Sequence, residues 1–208
     1  MAEIARAAAF RSCAARRLFV GGRLLCRNVI GRLLDCAPAA LSLTITPSGR
    51  PHLPDYPDID FNLSHTEDRV LLAICHGGRV GVDIERVDAL SAMDAREIMP
   101  LLLSKQEFGF LQELTPRQRQ AAMLSCWVRK EAALKCLGDG FLADPKHLMI
   151  TADIATYGME NRSSGVSIFL RSGQFGLDEG TGFEWAIATS KPNPPPVWHD
   201  YTPADFIA

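Results

Sequence analysis

The sequence predicts an α+β protein of two similar lobes, for three reasons. Each half of the 208-residue chain offers helical segments together with paired strand candidates, although no sequence repeat is visible. The chain is long enough to bury the core of one large domain or two small ones. No low-complexity linker separates the halves, so we expect them to pack closely. We place the boundary so that residues 1–92 form the N-terminal lobe and residues 93–208 form the C-terminal lobe.

The N-terminal half is predicted to contain one helix and three strands. Residues 41–46 alternate like a strand, stop at the turn "PSG" and are followed by a proline-rich loop. Residues 70–75 and 79–85 are typical of a hairpin joined by the turn "HGG". Residues 23–34 have apolar side chains at helical spacing. The predicted apolar stripe of this helix is Leu24, Leu25, Val29, Ile30, Leu33 and Leu34.

The C-terminal half is predicted to contain helices followed by two strands. Residues 95–114 have a helical pattern, and residues 118–137 have the strongest one in the chain, ended by the glycine stop "GDG". Residues 165–172 and 182–190 are strand candidates. The proline-rich tail that follows is predicted to be a loop.

Composition indicates an ordinary globular protein. Apolar residues make up 47% of the chain and charged residues 22%. No apolar run approaches the roughly 20 residues that span a bilayer, and arginines interrupt the N-terminus where a secretion signal needs an apolar centre. The six cysteines include no CxxC pair, which favours buried free thiols. We therefore expect a soluble, cytoplasmic protein without a membrane partner.

Charge is distributed unevenly along the chain. Residues 1–32 contain seven arginines and one acid, Glu3, for a local charge of +6, although the whole chain has a net charge of −2. A basic segment on a mildly acidic body indicates a local anion site. It argues against nucleic-acid binding, since duplex binders are more often basic overall.

The stretch "VGVDIE" contains two acids at alternate positions of a predicted strand. Asp83 and Glu85 share a face and lie about 6.5–7 Å apart along it. Their carboxylates could converge on one magnesium ion, which prefers oxygen ligands and keeps room for water and phosphate oxygens. The alternative is two solvated acids on an edge strand, and the short motif alone favours that alternative.

Two further motifs have a structural and a functional interpretation. Glu131 and Lys135, four residues apart on a helix, are either a surface ion pair or residues that line a cleft, because Leu124 and Val128 precede them on much the same face. Ser64 and His65 lie just before a predicted strand and are too close in sequence for a Ser–His catalytic dyad. His65 is either structural or a phosphate contact, and no phosphate-binding glycine loop is present.

Taken in order, the motifs resemble the Sfp-type 4′-phosphopantetheinyl transferases. The matching stretches are "GRP" (49–51), "FNLSHT" (61–66), "GVDIE" (81–85) and "WVRKEAALK" (127–135). Four ordered motifs across some ninety residues are specific, whereas each alone is weak. The similarity is dense over residues 49–140, plausible over 16–34 and weak beyond 150.

The resemblance implies a fold and a reaction. It implies two lobes related by a pseudo-twofold axis, with coenzyme A in the cleft between them. It implies Mg²⁺-dependent transfer of the phosphopantetheine arm from coenzyme A to a serine of an apo acyl or peptidyl carrier protein, which releases 3′,5′-ADP. Members of this size usually act as monomers.

The resemblance also implies roles for individual residues. Asp83, Glu85 and Glu131 would hold the metal ion, and Glu131 would also deprotonate the carrier serine, directly or through water. Lys135 would neutralise or protonate the leaving pyrophosphate oxygen. Trp127 would serve in packing.

The remaining motif residues are predicted to contact coenzyme A. His65 would contact a phosphate, Arg50 replaces the lysine usual near the nucleotide, and Arg27 would lie near the 3′-phosphate with Arg16 or Arg17 as a second contact. Lys130 has either a phosphate contact or a structural role. The predicted contacts together are Arg17, Arg27, Gly49, Arg50, Pro51, Ser64, His65, Thr66, Lys130 and Lys135.

Two rival functions use the same residues. A magnesium-dependent hydrolase would cleave the coenzyme A pyrophosphate without a carrier. A catalytically silent module would only bind coenzyme A or a carrier protein, and would be expected to lack part of the acidic set. Asp83, Glu85, Glu131 and Lys135 are all present, which favours the transferase.

Overall fold

A computed structural model describes most of the chain, and it is a mixed helix and sheet structure. The described residues are 2–67, 69–90, 92–138, 144–151, 154–157, 166–176, 182–192 and 195–206. The helices in these segments are α1 (Ala2–Ala8), α2 (Cys13–Leu33), α3 (Ala92–Leu102), α4 (Lys105–Gln112) and α5 (Pro116–Leu137). The strands are β1 (Thr44–Ile45), β2 (Pro51–His52), β3 (Ile59–Thr66), β4 (Arg69–His76), β5 (Val80–Arg86), β6 (Leu148–Thr151), β7 (Ile154–Tyr157), β8 (Val166–Phe175) and β9 (Phe183–Thr189).

The strands form one larger sheet and two small ones, all antiparallel. β1 pairs with β2, and β3 pairs with β4. The larger sheet has the order β5-β9-β8-β7-β6. β5, from the first half of the chain, is therefore hydrogen-bonded to β9 near the C-terminus.

The predicted hairpin between residues 70–75 and 79–85 is wrong. Both segments are strands, but β4 pairs with β3 and β5 pairs with β9. Pairing of Thr66 with Arg69 leaves a two-residue loop, and Glu67 in that loop has a φ of 41°. Tight two-residue hairpins require such left-handed residues, so the shorter connection forms the hairpin.

Helix α2 is longer than predicted, and its buried face agrees with the predicted stripe only in part, since Ile30 is buried as expected. It begins after the N-cap Ser12, whose hydroxyl accepts the Ala15 N–H, instead of at residue 23. Two members of the predicted stripe, Leu24 and Leu33, are exposed by 43% and 59%. The buried residues of the helix are Gly22, Cys26, Ile30 and Gly31.

The small residues explain which face of α2 packs. A Cβ added at Gly22 would lie in ordinary contact with Leu63 and Val70 of the β3–β4 hairpin, at 3.8 and 3.7 Å. The helix therefore approaches the hairpin closely on this face. The N-terminal core that results contains Cys26, Ile30, Leu41, Leu53 and Phe61.

The predicted helix at 95–114 is two helices. α3 ends at Leu102 and α4 begins at Lys105, after the N-cap Ser104. Ser104 and Glu107 form a reciprocal capping box, with Glu107 Oε2 accepting the Ser104 N–H at 2.8 Å. The sequence "SKQE" is the signature of such a start, so this boundary was visible in the sequence.

Most other elements agree with the prediction. The helix over 118–137 is confirmed as α5, which ends at Gly138 with a φ of 80°, and the two late strands are confirmed as β8 and β9. The strand at 41–46 shrinks to Thr44–Ile45. The rest of the "GDG" stop lies outside the described residues. The structure also contains elements that were not predicted, namely α1, β2, β3, β6 and β7.

No helix in the described segments combines the length and the apolar character needed to cross a bilayer.

All six cysteines are free thiols, of which Cys26 and Cys136 are buried and Cys13 is exposed. Burial raises the pKa of Cys26 and of Cys136 to about 12, so both remain neutral packing groups.

Helix α5 lies directly against β5 because residue 81 has no side chain. A Cβ at Gly81 would overlap the Ala132 carbonyl oxygen and the Cys136 amide nitrogen of α5. Both obstacles are backbone atoms, which cannot swing aside as a flexible side chain can. The glycine therefore sets the distance between the helix and the strand.

We expect Gly81→Ala to destabilise the protein by about 1–3 kcal/mol, because the added methyl overpacks the α5–β5 contact. Gly109→Ala is the matched control, since Gly109 is a helical glycine with nothing near its missing Cβ. That control should be neutral or slightly stabilising. Urea unfolding followed by circular dichroism measures both, and equal midpoints for the two variants would contradict the role given to Gly81.

Candidate active site

A cavity of about 250 Å³ lies where β3, β5 and α5 meet. It gathers residues from three of the four sequence motifs. Its lining consists of Leu63, Ser64, His65, Asp83, Glu85, Trp127, Glu131 and Lys135. The structure thus brings together the predicted metal ligands, the predicted catalytic pair and the Ser64–His65 motif.

Asp83 is buried, with only 4% of its surface exposed, so the solvated edge-strand alternative does not describe it. Its Oδ1 atom accepts hydrogen bonds from Ser64 Oγ at 2.7 Å and from Lys135 Nζ at 2.6 Å. Its Oδ2 atom is buried and has no hydrogen-bond partner. An unpaired buried carboxylate oxygen is costly unless a ligand satisfies it.

Lys135 pairs with Asp83 and not with Glu131. Besides Asp83, its ammonium donates to the Val82 carbonyl and to Ser64 Oγ, each at 3.2 Å. The surface-pair interpretation of Glu131 and Lys135 is therefore wrong for this structure. Because an ammonium has three protons, all of its donors are used inside the protein.

The two other carboxylates of the cavity are half-buried and electrostatically coupled to Asp83. Burial raises the pKa of Glu85, and the negative charge of Asp83 raises it further, against a hydrogen bond from the Thr66 hydroxyl. Burial also raises the pKa of Glu131, where the Asp83 charge adds to the effect and the Lys135 charge opposes it. Three carboxylates face one ammonium, so the site has an excess of negative charge.

The donor chemistry of this site fits a divalent metal ion. Asp83 Oδ2 is unpartnered, and the half-buried carboxylates of Glu85 and Glu131 line the same cavity. Magnesium prefers such oxygen ligands. Within the described segments, however, no three His, Cys, Asp or Glu side chains stand close enough together to hold a metal ion as they are.

Arg50 lies outside the cavity and binds protein oxygen atoms instead. Its guanidinium donates to Asp60 Oδ2 and to the carbonyl oxygens of Phe61, Val80 and Lys135. Burial lowers the pKa of Arg50, and the Asp60 charge opposes this. These contacts support a structural role for Arg50, which joins the loop before β2 to β3, β5 and the end of α5.

The other "GRP" residues also do not line the cavity. Gly49 has a φ of 86° and forms a turn in which its N–H bonds to the Thr46 carbonyl. Pro51 lies in β2, paired with Ile45. The positive φ explains why glycine stands at position 49.

The predicted arginine contacts divide into bound and exposed side chains. Arg27 donates to Glu3 and to the carbonyls of Pro38 and Leu41, each at 2.8 Å. Arg16 and Arg17 are both exposed on α2, and neither side chain has a hydrogen bond or ion pair to any described residue. Either of them is therefore available to an anion.

The contacts of Lys130 favour the structural one of its two predicted roles. Its side chain is fully buried, and its ammonium donates to Glu107 Oε2 at 2.7 Å, to the Leu102 carbonyl at 3.0 Å and to the Pro145 carbonyl at 2.9 Å. It holds the end of α3 and the start of α4 against α5. Trp127, predicted to pack, lies against the C-terminal core and also lines the cavity.

Two polar residues of β3, Asp60 and Asn62, make contacts to β5 that the sequence motifs did not predict. Asp60 Oδ2 accepts the Val80 N–H at 2.7 Å, and Asn62 Oδ1 accepts the Val82 N–H at 3.0 Å. The signal was the alternation of Asp60, Asn62 and Ser64 within "IDFNLSHT", which places three polar side chains on one face of a strand.

Comparison with known families identifies the chain. The sequence model described as the 4′-phosphopantetheinyl transferase superfamily matches residues 79–188, and the one described as 4′-phosphopantetheinyl transferase, N-terminal, matches residues 2–77. The chain belongs to the 4′-phosphopantetheinyl transferase superfamily, as the motifs predicted.

Curated relatives agree with this assignment. The 4′-phosphopantetheinyl transferase HetI of Nostoc is 31% identical over 141 residues, which cover 66% of this chain and 59% of HetI. A putative 4′-phosphopantetheinyl transferase of Synechocystis is 27% identical, over 74% of this chain and 63% of the relative. The 4′-phosphopantetheinyl transferase Sfp of Bacillus subtilis is 29% identical, over 57% of this chain and 51% of Sfp. The chain thus matches less than two thirds of the length of each.

We expect Lys130→Met to lower the free energy of unfolding by about 3 kcal/mol, because it leaves Glu107 and the carbonyls of Leu102 and Pro145 without their shared donor. Lys105→Met is the control, since Lys105 is exposed on α4. Guanidinium unfolding measures both variants. A Lys130→Met protein of normal stability that no longer binds coenzyme A would instead support the phosphate contact.

Proposed function

We propose that this protein transfers the 4′-phosphopantetheine arm of coenzyme A to a serine of an apo acyl or peptidyl carrier protein. The main support is the cavity, which is lined by the buried Asp83, with its unpaired oxygen, and by Glu85, Glu131 and Lys135. Membership of the superfamily and the names of the relatives support the same activity.

The reaction requires a hydroxyl to replace a pyrophosphate leaving group. The serine oxygen forms a bond to the phosphorus that bears the pantetheine arm, and the bond from that phosphorus to the bridging oxygen breaks. The released product is 3′,5′-ADP. The serine proton must be accepted and the charge on the leaving oxygen must be compensated.

Glu131 is the proposed base, directly or through one water. It lies on α5 at the cavity, and burial together with the Asp83 charge raises its pKa. A carboxylate with a raised pKa is a stronger acceptor for a hydroxyl proton.

Lys135 is the proposed compensating charge for the leaving oxygen, by neutralising it or protonating it. Because its three protons are already bonded to Asp83, Val82 and Ser64, it must give up one bond to contact a phosphate. The bonds to Ser64 and to the Val82 carbonyl are the longer ones and would be exchanged first.

Asp83, Glu85 and Glu131 would hold a magnesium ion. The support is the unpaired Asp83 Oδ2 and the excess of carboxylates over cations in the cavity. When bound, the ion supplies positive charge to the pyrophosphate oxygens. Among the described residues neither Glu85 nor Glu131 has an ion pair within 4 Å, so both carboxylates keep their negative charge available to a cation.

Coenzyme A would lie across the cavity between two pseudo-twofold lobes of residues 1–92 and 93–208. His65, exposed at the cavity, would contact a phosphate, and Arg16 or Arg17 would contact the nucleotide. The support is that β3 from the first lobe and α5 from the second line the same cavity. An acidic carrier would approach a basic or apolar rim.

Mass spectrometry of apo acyl and peptidyl carrier proteins tests the proposal. After incubation with coenzyme A and Mg²⁺, the carrier should gain the mass of one phosphopantetheine arm, and a metal chelator should abolish the gain. We expect Glu131→Gln, which keeps the shape but not the carboxylate, to lower the rate at least about 100-fold. Glu113→Gln, an exposed glutamate after α4, is the matched control and should react normally.

The two rival functions give different outcomes in the same assay. Consumption of coenzyme A with every carrier unmodified would show a hydrolase. Intact, bound coenzyme A with every carrier unmodified would show a silent binding module. Transfer at the normal rate by folded Glu131→Gln would remove Glu131 from the mechanism without removing the transferase activity.

A further inference from the structure

Three polar side chains of β3 lie along the edge of β5. Asp60, Asn62 and Ser64, which we name the polar row, occupy alternate positions and therefore one face of β3. Each bonds to β5: Asp60 accepts the Val80 N–H, Asn62 accepts the Val82 N–H, and Ser64 donates to Asp83 Oδ1. A largely buried strand face with three polar residues at successive positions is unusual unless each is paired.

The polar row replaces a neighbouring strand. β5 pairs with β9 along one edge, in the register that places Asp83 opposite Ala186. In such a ladder alternate residues direct their N–H and carbonyl groups to the other edge. At that edge the Val80 carbonyl is bonded by Arg50 and the Val82 carbonyl by Lys135, so side chains satisfy all four backbone groups of these two residues.

Both backbone groups of Val82 are hydrogen-bonded by side chains, one from β3 and one from α5. Asn62 Oδ1 accepts its N–H at 3.0 Å, and Lys135 Nζ donates to its carbonyl at 3.2 Å. The same ammonium donates to Asp83 Oδ1, which follows Val82 directly. The orientation of the Val82–Asp83 peptide therefore determines whether Lys135 can bond to both oxygens at once.

We propose that Asn62 is a positioning residue for the Asp83 carboxylate. Asn62 is 8% exposed and does not line the cavity, so it acts through the β5 backbone and not on a ligand. Without its acceptor, the buried Val82 N–H loses its partner and the edge of β5 rotates to find another. Rotation moves the Val82 carbonyl away from Lys135 and withdraws Asp83 Oδ1 from its two donors.

The effect of Asn62 on catalysis rests on the proposed transferase function, whereas its effect on Asp83 does not. Four measured quantities separate the two effects. The exchange rate of the Val82 amide proton and the ¹³C shift of the Asp83 side-chain carboxyl are read by nuclear magnetic resonance without any substrate. The kcat and the KM for coenzyme A are read in the carrier assay.

Asn62→Leu removes the acceptor at similar volume. We expect it to speed Val82 exchange and to lower kcat, each at least about tenfold, to shift the Asp83 carboxyl signal, and to leave the KM for coenzyme A within about twofold. Asn62→Asp keeps an acceptor, as Asp60 does for Val80. It should retain slow Val82 exchange, whereas kcat is not its readout, because the added carboxylate would lie near Asp83 without the cation that Asp60 has in Arg50.

Ile74→Ala is the stability control. Ile74 lies in the same hairpin, packs on the N-terminal core and pairs with Phe61, away from the cavity. Ile74→Ala should lower the free energy of unfolding without changing the ¹³C shift of the Asp83 carboxyl. If Asn62→Leu does not fold, Asn62→Ser, whose hydroxyl is too short to reach Val82, takes its place.

If the ¹³C shift of the Asp83 carboxyl is unchanged in Asn62→Leu or Asn62→Ser, the positioning role is overturned. It is also overturned if that variant loses no more kcat than Ile74→Ala does at matched stability. If the wild-type protein modifies no carrier, the proposed function fails, and the Val82 exchange and Asp83 shift alone decide the role of Asn62.

Discussion

The direct contact between α5 and β5 is the constraint on which the candidate site depends. α5 carries Glu131 and Lys135, β5 carries Asp83 and Glu85, and the two sets meet only because Gly81 lets the helix backbone touch the strand. Chemistry that needs a base, a cation and metal ligands within one small volume requires elements that cannot move apart. Helix capping at Ser104 and the buried Lys130 stabilise α4 and α3 against the same helix, so the scaffold of the site extends well beyond the cavity.

Electrostatics gives this scaffold its chemical character. The pairing of Lys135 with Asp83 stabilises one carboxylate, yet two more remain half-buried with raised pKa values, and one Asp83 oxygen has no partner. A protein selected for stability alone would satisfy or remove these groups, because buried charge without compensation is costly. Unsatisfied oxygens that line a cavity are the arrangement expected of a site that receives positive charge from outside the chain.

The sequence predicted the elements better than their partners. α5, β8 and β9 were recognised because periodicity and glycine stops are local properties. The predicted β4–β5 hairpin failed because strand pairing is decided by the competition of all strands in the chain, here β3 and β9. The face of α2 was only partly predicted, for a related reason. Ile30 is buried as expected, but Gly22 and Cys26 are buried because the β3–β4 hairpin fits closely against small residues, while Leu24 and Leu33 remain exposed.

The sequence by itself determined the motifs, their order and thus the family, because the order and spacing of residue types are visible without any knowledge of the geometry. It also determined which side chains could do chemistry: Asp83, Glu85, Glu131 and Lys135. Only the tertiary structure decided their environments. It showed that Lys135 pairs with Asp83 across 52 positions, that Arg50 and Lys130 are enclosed by protein oxygens, and that β3 side chains complete the edge of β5. Hydrogen bonds between residues far apart in sequence arise when packed elements meet, and no local pattern encodes them.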